Sequence, residues 1–290
     1  MILITFIRED KEEVGVLKDG FIVPLNELGY NYLSMNDLIL NINEEELKVI
    51  NKKVNEYKSS LRLEDIKLLA PIPRPLQDVI CLGLNYTEHA EEAFKYSDVF
   101  TTNKDAAIYF SKRVSYSPGS GEYICSHSDL VERLDYENEL AVIIGKDAKD
   151  VTEEDAEEYI FGYTILNDIS ARDIQTKHKQ WYFGKSLDGF TPMGPCIVSK
   201  DEISYPPELN IRTYVNGEVR QDSNTRMLIH GISEIICELS SGMTLKAGTI
   251  IATGTPKGVI MGMDNPSFLK SGDEVICEIE GIGKLKNIID

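Results

Sequence analysis

Up to about residue 72, short apolar runs alternate with charged turns. Ile2, Leu3, Ile4, Phe6 and Ile7, then Val14-Gly15-Val16, then Phe21-Ile22-Val23 read as short strands. The charged turn Arg8 to Glu13 and Asp19-Gly20 join them. From Leu38 to Leu63 the period changes. Leu47, Ile50, Val54 and Leu61 recur at mixed three- and four-residue spacings, which predicts helix. Pro71-Ile72-Pro73-Arg74-Pro75 cannot continue a helix and reads as a stiff linker. The pattern thus divides the chain into a small N-terminal module, residues 1–72, and a larger domain, residues 73–290.

In the larger domain the apolar runs are short and punctuated by glycine. Asp78 to Leu84, Ile108 to Ser111, Leu140 to Gly145, Gly162 to Asn167, Pro195 to Val198, Ile211 to Val215, Ile250 to Thr253 and Glu274 to Glu280 are strand-sized. Helical segments are few: Tyr86 to Lys95, Thr152 to Ile160 with Thr152 as its cap, and Ile229 to Leu239. A doubly wound sheet would alternate strand and helix regularly, so the expectation is α+β and mostly β. There are no internal repeats.

Composition narrows the function classes. With 290 residues, 42% of them hydrophobic and 27% charged, the chain is long and apolar enough for a packed core. Its apolar runs fall well short of the ~18 residues of a membrane helix. The start MILITFIRED has no basic head, so a soluble protein that stays in the cytoplasm is expected. Five cysteines without a C-x-x-C pair argue against a zinc site or a disulfide framework. A net charge of −18 repels phosphate backbones and anionic membranes, which excludes nucleic acid as an expected partner. An anionic small molecule can still bind where a metal ion or a few cationic side chains override the global field.

Candidate chemistry gathers at Leu134-Asp135-Tyr136-Glu137-Asn138-Glu139-Leu140. Alternate residues of a strand share a face, so Glu137 and Glu139 point the same way. Side by side they repel each other unless a cation sits between them. The run Gly162 to Asn167 ends in a third carboxylate, Asp168. An oxygen-only set of this kind suits Mg²⁺, Mn²⁺ or Ca²⁺ rather than zinc. Spacing alone leaves the alternative of a solvated strand face open; the company these residues keep argues for the metal.

That company is a series of motifs in one order: Gly83-Leu84-Asn85-Tyr86-Thr87-Glu88-His89, Asp135 to Leu140, Gly162-Tyr163 through Asn167-Asp168-Ile169-Ser170-Ala171-Arg172-Asp173, Gly184-Lys185-Ser186-Leu187-Asp188, Met193-Gly194-Pro195, Val215-Asn216-Gly217-Glu218 and Thr253-Gly254-Thr255-Pro256-Lys257-Gly258. Together they resemble the fumarylacetoacetate hydrolase family over residues ~78 to 290. The resemblance implies that Glu137, Glu139 and Asp168 hold the metal. It also implies a shared β-roll fold and a homodimer.

Beside such a metal the other residues take on roles. Arg172 follows Asp168 by four residues and Gln175 follows Arg172 by three, so one helical turn can aim both at a bound anion. Lys185 adds a second cation whose pKa is expected to fall near the metal and Arg172. The turn Thr253 to Pro256, with Gly254 and Thr255, reads as a cradle for a substrate carboxylate. Lys112 and Ser117 resemble the family's pocket wall. His89 with Glu92 three residues on forms a pair on one helix face, a general base held by a carboxylate. His127, His178 and His230 are read as structural. The reaction expected first is metal-dependent C–C hydrolysis of an acylpyruvate-type β-diketo acid. Isomerisation of a 2-hydroxy-diene-dioate or decarboxylation of an oxaloacetate-type 2-oxo-diacid comes next, because fold and metal ligands do not choose among them. A metal-binding module without turnover is the reading of a different class. Ala93 to Ala107 is longer and more polar than the family's usual lid.

Overall fold

Nine strands of the main sheet run edge to edge in the order Phe21–Pro24, Lys11–Lys18, Ile2–Arg8, Met193–Ser199, Ile160–Asn167, Asn138–Ile144, Ile250–Ala252, Val79–Gly83 and Ile108–Lys112. A tenth, Lys67–Leu68, pairs with Ile2–Arg8. The computed structural model describes residues 1–94 and 106–290. Pairing in this sheet is antiparallel except between Ile250–Ala252 and Val79–Gly83. A second sheet orders Glu218–Asn224, Asn210–Val215, Glu274–Ile279, Gly283–Ile289 and Tyr123–Ile124. The fold is α+β and mostly β, as its sequence pattern predicts.

Each of the eight apolar runs expected as strands in the larger domain overlaps a strand. The central one, Asn138–Ile144, is buried on both faces. Leu140, Val142 and Ile144 face a core shared with Ile211, Val275 and Leu285 of the second sheet. Ala141 and Ile143 face the other way, into a core with Leu3, Val16, Leu38, Ile50 and Val54. Two-sided burial is why this strand reads as a continuous apolar run.

The N-terminal strands are part of the same sheet, since Ile2 pairs with Val198 and Leu3 with Ile197. Pro71, Ile72 and Pro73 are buried rather than exposed as a linker would be. Their carbonyls are used: Thr5 Oγ1 donates to Pro71 O (2.7 Å) and the Ser117 amide to Pro73 O (2.9 Å). The helical stretch after Leu38 is two helices, Met35–Asn41 and Glu44–Glu56, capped by Ser34 and Asn43. The segment expected as a helix from Thr152 to Ile160 forms only a 3-10 turn, Ala156–Tyr159. Thr152 does bond the Asp155 amide as a cap, but no buried apolar face follows to extend the helix. No helix among the described residues is long and apolar enough to cross a membrane.

Candidate active site and metal centre

Two strand ends build the acidic cluster. Asn138 pairs with Asn167 and Glu139 with Leu166, so Glu137 and Asp168 lie just beyond the paired region. There the two segments lock together. The Asp168 amide donates to Glu137 O (2.8 Å), and the Glu137 amide to Asn167 Oδ1 (3.0 Å). Glu137, Glu139 and Asp168, all buried, each bring one oxygen to a point where these atoms lie within 4.8 Å of one another.

Three buried cations surround them. Lys185 Nζ lies 2.7 Å from both Glu137 Oε2 and Asp168 Oδ2. Lys112 Nζ donates to Asp168 Oδ1 (2.6 Å) and Ile169 O (3.0 Å). Arg172 Nη1 reaches Glu137 Oε1 (2.6 Å), while its Nε donates to Asp135 Oδ2 (2.9 Å). Burial works against ionising Glu137, yet Lys185 and Arg172 outweigh it and hold its carboxyl down at about 2. Glu139 has no such partner. The Gly254 amide bonds its Oε2 (2.7 Å), and its Oε1 is buried and unpaired. Burial and the charges of Asp168 and Glu137 push its carboxyl well above the usual range.

This arrangement fits a hard divalent cation. The donors are oxygen only, they converge, and one buried lone-pair site on Glu139 lacks a partner. A cation there would relieve the repulsion that raises Glu139.

The structure bears on three expectations about individual residues. Without a bound metal, burial disfavours the Lys185 charge, but Asp168 and Glu137 raise its pKa. Lys112 is not a pocket wall, because its ammonium is fully buried behind Asp168, where burial lowers its pKa. Ser117 is likewise internal, donating to Thr191 O. The Gly254–Thr255 turn bonds other parts of the protein, and Thr255 also lines the cavity beside the acidic trio. Gly254 holds Glu139, Thr255 Oγ1 donates to Asn138 O (2.9 Å), and Gln221 donates to Thr255 Oγ1 (2.8 Å). The Gly254 amide, expected to face a substrate carboxylate, holds Glu139 instead.

A small cavity opens beside the cluster. Glu137, Arg172, Gln175 and Lys185 form its polar side, and Leu84, Phe110, Trp181 and Met261 its apolar side. Arg172 Nη1 also donates to Gln175 Oε1 (3.1 Å), whereas its Nη2 is buried without a partner. His89 reaches the same cavity from helix Thr87–Phe94. Its Nδ1 lies 3.4 Å from Glu92 Oε2, and Glu92 in turn accepts from the Gly258 amide (3.1 Å). His127 and His230 make local bonds to Asp188 O and Glu234. Of the lid segment Ala93 to Ala107, residues 95–105 lie outside the described residues.

Two residues here carry more than the sequence reading assigned them. Asp135 is fully buried and collects four donors: Arg172 Nε and the amides of Tyr136, Ile260 and Met261. The two-residue step that links Glu137 to Glu139 also reaches back to Asp135, and that was the available signal. Asn85 ties three segments together, donating to Thr253 O and His230 O and accepting from the His230 amide. Nothing but its place in the motif pointed to it.

A buried acidic trio braced by lysine and arginine, open to a cavity that a histidine also enters, is the layout of a catalytic centre rather than of a structural ion-pair cluster. Residues 78–290 match the model of the family described as fumarylacetoacetate (FAA) hydrolase C-terminal, and the chain belongs to that family. It is 46% identical over 240 residues to oxaloacetate tautomerase YisK of Bacillus subtilis (strain 168), covering 82% of this chain and 78% of that protein. The fumarylacetoacetate hydrolase of the psychrophile Exiguobacterium antarcticum matches in structure with a TM-score of 0.83 at 36% identity, over 100% of this chain and 99% of that one. The maleylpyruvate hydrolase of Sphingobium sp. SYK-6, in complex with manganese (II) ion and pyruvate, matches at TM-score 0.78 and 28% identity, over 100% and 98%. These relatives are enzymes, and so is this protein.

Proposed function

We propose that the protein is a divalent-metal-dependent enzyme that moves a proton at the carbon next to the ketone of a small anionic 2-oxo acid. On this reading it interconverts keto and enol forms of an oxaloacetate-type dicarboxylate. The observation that carries it is the meeting, in one cavity, of an oriented His89 with the unpaired Nη2 of Arg172 beside the acidic trio. The 46% identity to a tautomerase supports the choice among reactions.

Glu137, Glu139 and Asp168 would hold Mg²⁺ or Mn²⁺, with Ca²⁺ a third option, and the ion would supply Lewis-acid stabilisation of charge on the substrate's 2-oxo oxygen. Arg172 Nη2 offers a charge-assisted donor to a substrate carboxylate. Gln175, bonded to Arg172, holds the guanidinium plane. Lys185 keeps Glu137 ionised and bonds Asp168 Oδ2, tying the two carboxylates together beside the cation site. His89 takes the proton from the substrate carbon and passes it to the 2-oxo oxygen (the reverse in the enol-to-keto direction), with Glu92 stabilising the imidazolium between the two steps. Leu84, Phe110 and Trp181 keep bulk water from competing for that proton. Tautomerisation conserves atoms and electrons, so no co-reactant is needed.

Hydrolysis of an acylpyruvate is the second reading. The structural match to a maleylpyruvate hydrolase favours it, and the same His89–Glu92 pair can deprotonate a water. One panel separates the two. Purified protein with Mn²⁺ is mixed with enol-oxaloacetate, acetylpyruvate, fumarylpyruvate and a 2-hydroxy-diene-dioate, and products are followed by ultraviolet absorbance and NMR. The expected result is loss of the enol band of oxaloacetate well above the buffer rate, abolished by EDTA. Cleavage of an acylpyruvate with no effect on the enol would replace the first reading by the second. His89→Ala is expected to lower kcat by about 10²- to 10⁴-fold while leaving Mn²⁺ and oxalate binding in place. A variant as active as the parent would remove His89 from the mechanism.

A further inference from the structure

We propose that Gly262 is a positioning residue: the turn Gly258 to Gly262 is a seat for the Glu92 carboxylate, and the bare α-carbon at 262 sets where His89 stands. This rests on His89 being the proton handler. A Cβ built on Gly262 would lie 2.0 Å from Glu92 Cδ, 2.2 Å from Oε1 and 2.3 Å from Cγ. All three of its closest neighbours belong to that one side chain. Gly262 also has no positive φ, so its backbone would accept alanine without strain. The reason for glycine here is therefore Glu92, not the turn. Gly258 differs: its φ is +100 and a Cβ there would strike Arg220 O at 2.1 Å, a requirement of the backbone itself.

The seat is fixed from behind. Tyr136 Oη donates to Gly258 O (2.7 Å), and the Ile260 and Met261 amides donate to Asp135 (2.9 and 3.0 Å). The Gly262 amide closes the turn on Val259 O (3.0 Å). Asp135 also binds Arg172, which grips Glu137. On the other side the Gly258 amide donates to Glu92, and Glu92 faces His89 Nδ1. The distance from His89 to the acidic trio is thus set through one chain of contacts, in which Gly262 is the point where a single methyl group displaces the histidine's partner. The clash falls on the end of a flexible side chain, so the protein can absorb it by moving Glu92 away.

The test is Gly262→Ala in the full-length, Mn²⁺-loaded protein, alone and combined with Glu92→Ala. The single variant is expected to keep its thermal midpoint and Mn²⁺ affinity and its KM within about twofold, and to lose about 10- to 100-fold in kcat, the scale of an ångström-sized misplacement. Amide exchange at Gly258 should speed up as its acceptor leaves. In the Glu92→Ala background, Gly262→Ala should change neither rate nor exchange. Unchanged kcat and unchanged Gly258 exchange in the single variant, or an equal further loss in the Glu92→Ala background, would overturn the proposal. Failure of the single variant to fold supports it if the double variant folds, and overturns it if neither does. The Gly258 readout needs no substrate. If no compound in the panel is turned over, the proposed function fails while the seat is still decided.

Discussion

Metal-free protein carrying Glu139→Gln is expected to be more stable than the parent chain at pH 8, and to have lost both divalent-cation binding and turnover. Glu139 is buried beside two other carboxylates, and its own carboxyl is pushed well above the usual range by burial and by Asp168 and Glu137. The unfolded chain ionises this group in the ordinary glutamate range, while the folded chain resists. A raised acid of this kind leaves stability intact below the ordinary range and removes it as pH climbs through the elevated native value. Gln cannot ionise, so the gap between variant and parent should be near zero at pH 4 to 5 and widen toward alkaline pH. The amide keeps an oxygen for the Gly254 amide, which now bonds Oε2 at 2.7 Å. Its NH₂ replaces the unpaired Oε1 with a donor facing carboxylates. Urea denaturation of EDTA-treated protein from pH 4.5 to 8.5 measures the gap, and repeating it with Mn²⁺ should stabilise the parent but not the variant. If the variant is destabilised at pH 8 without metal, the repulsion described here does not exist. A residue that costs stability where it stands, and is needed only when a ligand arrives, is what a binding site is expected to contain.

How far the sequence reached this picture can be judged from particular residues. The strands were legible because burial on one or both faces writes itself into apolar runs of strand length, as in Leu140 to Gly145. The carboxylate trio was legible for the same reason: a period of two places Glu137 beside Glu139, and Asp168 closes a neighbouring run. Features set by long-range contacts were not. Pro71 to Pro75 has the composition of a linker, and nothing local announces that Thr5 and Ser117 use its carbonyls. Gly254 and Thr255 have the chemistry of an anion cradle, yet their donors are taken by Glu139 and Asn138, which lie over a hundred residues away. The anionic contacts of Lys185 were also set by long-range packing. Sequence neighbours suggested Arg172 and a metal, whereas Glu137 and Asp168 are the contacts made. The same limit hid Asp135, whose four donors come from three separate stretches of chain.

Asp135→Asn makes the same carboxylate-to-amide change four residues earlier, and the opposite outcome is expected: a loss of about 3–5 kcal/mol, the scale for breaking one partner of a buried ion pair. Asp135 Oδ1 accepts from the Tyr136 and Ile260 amides, both at 2.9 Å, and Oδ2 from the Met261 amide and Arg172 Nε, at 3.0 and 2.9 Å. A carboxylate can serve all four, having acceptor lone pairs on both oxygens. An asparagine has one oxygen and one NH₂, so in either rotamer two of the four donors face another donor in a site with no exposure to water. Among the described residues Arg172 then keeps Glu137 as its only anionic partner, and the turn Gly258 to Gly262 loses its bonds to the Asp135 carboxylate. The damage should therefore exceed the stability loss. At 10 °C and low denaturant, where the variant remains folded, kcat is expected to fall by about 10²-fold, with Mn²⁺ affinity much less affected because Glu137, Glu139 and Asp168, the proposed ligands, are untouched. Paired chemical denaturation curves with equal slopes and a lowered midpoint would show the first effect, and steady-state kinetics on the folded fraction the second. A variant as stable as the parent would mean that the four donors find other acceptors. The contrast in sign between positions 135 and 139 would then have to be traced to something other than the balance of donors and acceptors around each carboxylate.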